Sequence, residues 1–197
     1  MPQSLPVDPS RCALLIMDYQ PAVLDLVSDG DKLIGHANEA IDVVHRHGLT
    51  VGFVRIAFED DDYAIVPATN TSFAAVAAAR QLHVSSAAMA LHPDLAVRPD
   101  DIVVRKTRVG AFSTTNLDEQ LTNLGITTLI LAGLTTSGAV LSTIRDAADR
   151  DYRLILLSDC ISDPREEVHA VLLEHVLPGQ ADIITAAGLH PLLEGTA

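Results

Sequence analysis

The sequence predicts an α/β domain in which a doubly wound, six-stranded parallel sheet carries helices on both faces. Three observations carry that prediction. Short apolar runs alternate with longer amphipathic ones along all 197 residues, the pattern of successive βαβ units. The short runs are continuously apolar rather than alternating, as strands buried on both faces must be. Hydrophobic residues make up 48% of the chain but aromatics only 4%, with no Trp. The apolar mass is therefore Ala, Leu, Val and Ile, suited to helices packed over buried strands.

The elements follow in order. Cys12 to Met17 form an apolar first strand that stops at Asp18. Helical spacing runs over 31–47 and ends at Gly48, whose backbone freedom suits a helix stop. Residues 50–58 are β-branched and apolar, a second strand, and 72–82 are Ala-rich and helical. Ile102, Val103 and Val104 mark a third strand within 101–106, and 117–124 form a helix stopped by Gly125. Residues 127–134 are the cleanest strand, 136–150 a helix and 152–157 the fifth strand. Val168, Val171, Leu172 and Val176 make an apolar stripe at helical spacing within 165–176, and 181–186 hold the last strand. The least regular stretch, 59–100, is expected to loop over the site. No repeat, linker or low-complexity segment divides the chain, so 1–197 reads as one domain. Such units join through right-handed crossovers, and the expected strand order is 3-2-1-4-5-6.

Composition excludes several functions. A formal net charge of -13 argues against nucleic acid, which requires clustered Lys and Arg, and against an anionic membrane surface. No stretch approaches the length of a membrane span. Residues 1–10 are polar and proline-containing, without the basic and apolar regions of a secretion signal. Cys12 and Cys160 are the only cysteines, too few for a disulfide framework and without CxxC spacing. The expected setting is the reduced cytoplasm.

Ligands of open α/β sheets sit beyond the carboxyl ends of the strands. That rule selects Asp18, Phe58-Glu59-Asp60, Lys106, Leu134-Thr135-Thr136 and Asp159-Cys160. No GxGxxG or P-loop pattern follows a strand, and no His pair near these ends has metal-ligand spacing, so neither a cofactor nor a metal is expected. Asp18 ends an apolar strand and needs a cation, or its pKa rises. Lys106 is a natural partner, and such a pair can serve as general acid or base. A loop-capping Asp18 and a solvated Lys106 fit the same residues.

Residues 13–20, Ala-Leu-Leu-Ile-Met-Asp-Tyr-Gln, resemble the opening strand of the isochorismatase-like hydrolase superfamily, which ends in a catalytic Asp, one variable residue and Gln. Residues 106–112 resemble the segment from its catalytic Lys to an Ala-Phe pair, and 129–136 its fourth strand and sharp turn. Residues 137–148 resemble the helix that carries the nucleophile, and 152–159 the fifth strand. The resemblance spans about 11–187 and implies a Rossmann-like fold, a small-molecule substrate, and a homodimer or homotetramer. It also implies catalytic roles for Asp18 and Lys106, a non-proline cis peptide at Leu134-Thr135, and amides of Thr135 and Ala139 that stabilise an anion. Gln20, Phe58, Arg108, Phe112 and Thr136 are assigned to substrate binding, with Tyr63 beside them.

Counted from Gly133, the nucleophilic Cys of this superfamily falls at Ala139. Alanine has no nucleophilic atom, which closes the thioester route of its amidases. Four readings fit: a hydrolase without a thioester, as in the true isochorismatases that cleave a vinyl ether; a silent binder; an alanine engineered to trap substrate; or another nucleophile. For the last, Cys160 reads better as a packed apolar residue, Cys12 lies at the wrong end of its strand, and Thr136, Ser137 and Ser142 read better as helix caps. The related metal-binding nicotinamidases use an Asp and two His after strand two, where this chain has Glu59-Asp60-Asp61-Asp62 and no His. That run suits a hard cation but reads better as a solvated acidic loop. Arg55 reads as a substrate anchor or an ion pair. The eight His residues show no cluster, and none is assigned to catalysis.

Overall fold

The computed structural model describes residues 7–195; residues 1–6, within the polar start, and 196–197 lie outside the described residues. Its sheet has six strands in the order β3-β2-β1-β4-β5-β6, every pair parallel. They are β1 Cys12–Met17, β2 Thr50–Ile56, β3 Ile102–Lys106, β4 Thr128–Leu134, β5 Arg153–Ser162 and β6 Asp182–Ile184. The helices are α1 Pro21–Leu24, α2 Gly30–Arg46, α3 Asp60–Ile65, α4 Ala74–Ala78, α5 Leu117–Asn123, α6 Leu141–Asp149, α7 Glu166–Val171 and α8 Ala186–Leu193.

The apolar runs are explained by burial on two sides. In β1, Leu14 and Ile16 join one core with α2 and α8. Ala13, Leu15 and Met17 join the opposite core with α5 and α6. Successive side chains point to opposite faces, so a strand covered on both sides tolerates no polar position until it ends. Gly133 is required where β4 passes β1: a Cβ there would lie 2.9 Å from Met17 Cβ and 3.2 Å from its carbonyl oxygen. We expect Gly133→Ala to force the central strands apart and cost about 1–3 kcal/mol, read as a lowered denaturant midpoint; an unchanged midpoint would refute the close-approach argument.

Several boundaries differ from the sequence reading. The Ala-rich helix shrinks to α4, because Arg80 and Leu82 adopt left-handed backbone (φ 47° and 58°) that ends it. The helix expected over 136–150 begins as a π-helical turn, Thr136–Val140, before α6. β5 runs past its expected end at Leu157 to Ser162. The polar Ser158 and Asp159 fall in an irregularity, between the pairings Leu131↔Leu156 and Gly133↔Ile161. The stripe beginning in α7 continues as a π-helical turn, Leu172–Val176, and buries none of its residues fully. No helix among the described residues is long and apolar enough to cross a membrane.

Candidate active site

β1 is followed directly by a buried carboxylate. Asp18 is 5% exposed and adopts left-handed backbone, φ 58°, a conformation that a non-glycine residue holds only when its surroundings impose it. Its amide donates to Val54 O at 2.8 Å, and its carbonyl accepts from Gln20 N at 2.8 Å. β3 ends in Lys106, 1% exposed. The Lys106 ammonium donates to Asp18 Oδ2 at 2.6 Å and to Val109 O at 2.5 Å. The sheet thus brings Asp18 and Lys106 together across β2. The other carboxylate oxygen, Oδ1, is buried without a hydrogen bond. Burial pushes the Asp18 carboxyl above the ordinary carboxylate range, against the opposing pull of the Lys106 charge and hydrogen bond.

The third part of the site follows β4. The Leu134-Thr135 peptide is cis, and the Thr135 carbonyl accepts from Gly138 N at 3.1 Å and Val140 N at 3.2 Å. These bonds close the π-helical turn that buries Ala139. Glycine suits position 138, where a Cβ would meet Thr135 Oγ1 at 2.8 Å. Thr136, fully buried, hydrogen-bonds His169 Nδ1 at 2.8 Å. Asp163 accepts the Ser137 amide at 2.8 Å and the Arg165 amide at 3.2 Å. Burial raises the Asp163 pKa, but these hydrogen bonds outweigh it and hold the carboxyl below its usual range. Sequence reasoning missed both His169 and Asp163. The extension of β5 past two polar residues is what delivers Asp163 to the turn.

Two residues assigned to substrate binding have other occupations. Gln20 is fully buried and donates to Ile56 O at 2.9 Å and Met89 O at 2.7 Å. Its Oε1 accepts from Ile56 N at 2.9 Å. Gln20 therefore rivets β2 and the 87–89 turn to the end of β1, with no donor left for a ligand. Phe112 packs in the α5–α6 core and stacks on Tyr152 at 6.0 Å between ring centroids. Tyr152 precedes β5, at the amino-terminal ends of the strands, whereas Asp18 follows β1 at their carboxyl ends.

Phe58 is buried against Tyr63 and Phe73, in a small cluster that also holds Val109, the residue whose carbonyl Lys106 engages. Tyr63 donates to Gln81 O at 3.0 Å, so this aromatic pair ties α3 to the segment that follows α4. Arg108 donates to Thr107 O at 2.7 Å and lies over the Phe73 ring at 5.8 Å. It lines a cavity of about 150 Å³ with Arg105, Thr107 and Thr114. Arg55 donates to Met89 O at 3.0 Å and forms no ion pair among the described residues. The acidic run is no loose loop. It starts α3 with a capping box, and Asp60 and Asp62 pair with Arg80 and Arg105. A larger cavity, about 570 Å³, lies beside Asp29, His36, Asp159, Asp163 and His169. Of its lining residues, His169 and Asp163 bond Thr136 and Ser137 of the turn, and neither Asp18 nor Lys106 is among them.

A family model described as the isochorismatase domain matches residues 12–188. The chain belongs to the isochorismatase family. An uncharacterized isochorismatase family protein, YwoC of Bacillus subtilis, is 30% identical over 178 residues, covering 90% of this chain and 92% of the relative. The ureidoacrylate amidohydrolase RutB of Caulobacter vibrioides is 28% identical, covering 80% of each. Among solved structures, an isochorismatase family protein from Burkholderia thailandensis superposes with a TM-score of 0.82 at 27% identity, over 96% of this chain and 98% of that one. A cysteine hydrolase from Pseudomonas syringae shares the fold at 20% identity, with a TM-score of 0.87 over 98% and 97% of the two chains. Membership of the isochorismatase family makes the protein a hydrolase, and its six-stranded sheet is that of the isochorismatase fold.

Proposed function

We propose that this protein hydrolyses a small organic molecule by acid–base chemistry at Asp18 and Lys106, without a covalent thioester. The observation that carries the reading is the divided carboxylate of Asp18. Lys106 holds Oδ2, while Oδ1 is buried with no protein partner. A buried acceptor left open at the end of a strand is where a substrate proton or a water is met. Asp18 then carries the proton, Lys106 fixes its charge state, and the amides of Thr135 and Ala139 hold developing negative charge at the helix start.

The thiols support this reading. Cys12 and Cys160 are both buried. Burial pushes the Cys12 thiol up to about 11 and the Cys160 thiol higher still, so neither supplies a thiolate. With Ala at 139, a proton-donating Asp18 suits a vinyl ether better than an amide. A homodimer or homotetramer and a cytoplasmic setting belong to the same proposal.

The test compares the protein with Ala139→Cys on isochorismate, ureidoacrylate and maleamate. Cleavage of the vinyl ether by the unmodified protein, without an acyl-enzyme burst, is the expected result. Turnover only by Ala139→Cys, and only of amides, would make the chain a disarmed cysteine hydrolase and end this proposal. Binding without turnover in both forms would make it a silent small-molecule binder.

A further inference from the structure

The eight His residues appear dispersed in the sequence, but the fold brings two of them together. α2 runs back against the strands and ends at their amino-terminal ends, opposite Asp18, where His47 caps it. α8 follows β6, packs beside α2 in the same core, and carries His190 and, at its C-cap, Glu194. The two imidazole centroids lie 5.5 Å apart, with ring planes at 60°. His190 Nε2 is 3.6 Å from Glu194 Oε1, one turn later. One nitrogen or carboxylate oxygen from each of His47, His190 and Glu194 lies within 4.8 Å of the other two.

The chemistry of the three donors fits a transition metal better than a mutual ion pair. His47 Nδ1 lies 2.8 Å from Val43 O. A carbonyl only accepts, so Nδ1 carries the proton and Nε2 holds a lone pair. A backbone carbonyl orienting a ligating imidazole in this way is the usual support of a metal-bound His. His190 and Glu194 stand four residues apart on a helix, which places both donors on one face. Two imidazoles and a carboxylate are a borderline-soft donor set, suited to zinc and its neighbours rather than to calcium or magnesium. In a tetrahedral zinc site the donors stand about 3.4 Å apart. The side chains of His190 and Glu194 are half exposed, 50% and 49%, and can close that gap by rotation.

We propose that His47, His190 and Glu194 form a divalent transition-metal site of the zinc class, with water completing the shell, that clips α8 to α2. It lies at the amino-terminal end of the sheet, opposite Asp18 at the carboxyl end, and is independent of the hydrolytic reading. The test uses untagged, chelator-stripped protein titrated with zinc alone, by calorimetry and by thermal melting. One equivalent binds and the melting midpoint rises; His190→Ala and Glu194→Gln, both at half-exposed positions, weaken binding by at least about tenfold and abolish the rise. No saturable binding by the native protein would overturn the proposal. So would binding that survives both substitutions unchanged, because the zinc would then reside elsewhere. Substrate turnover, where measured, is unaffected by either substitution.

Discussion

Asp18→Asn removes turnover by roughly 10²–10⁴-fold, the range that a positioned proton-transfer group contributes, while substrate still binds. The substitution keeps the shape of the carboxylate and an oxygen for Lys106, so the strand end survives. What disappears is the titratable oxygen that the protein leaves without a partner. The pH profile carries a second signature. Burial holds the Asp18 proton to higher pH than a solvated carboxylate would. If Asp18 is the donor, activity falls as the pH rises through a value above the ordinary carboxylate range. A steady-state comparison of the two proteins settles the role. An Asn variant that keeps more than about a tenth of the native rate is incompatible with proton transfer by this group.

The second large effect is on stability. Lys106→Met leaves Asp18 buried with no cation, a change that costs about 3–5 kcal/mol when one partner of a buried pair is removed. The loss depends on pH, with a definite sign. Without the ammonium, the folded-state pKa of Asp18 rises further above its unfolded value. The folded protein then holds a proton that the unfolded chain releases, so stability falls as the pH rises. Denaturant melts should therefore show a larger deficit near neutrality than in mild acid. The double variant Lys106→Met with Asp18→Asn should recover much of it. Equal deficits at both pH values would mean that Lys106 matters through packing rather than charge.

The residues that were legible in the sequence share a physical signature. Asp18 and Lys106 are charges at the ends of strands, where a polar group is costly unless it has work to do. The apolar runs of β1 and β4 were legible because both faces are covered. Other residues were misread where identity does not specify direction. Gln20 sits beside the site, yet all its hydrogen bonds go to backbone, and Phe112 turns into the core. β5 was cut short because an irregular strand can carry polar residues that no apolar pattern signals. His169 reaches Thr136, and His47 reaches His190, through tertiary packing alone. No local spacing encodes such meetings.

The position of β3 has a consequence for motion. It is an edge strand that pairs only with β2, with Val103 half exposed, and such strands ordinarily fray at small cost. Here its last residue is the counter-ion of a carboxylate two strands away. Peeling the edge would strand that charge in a dry interior, so local opening is raised toward the free energy of unfolding the whole sheet. The border of the molecule is tethered to its centre by one ammonium, and the most peripheral strand becomes one of the least able to leave.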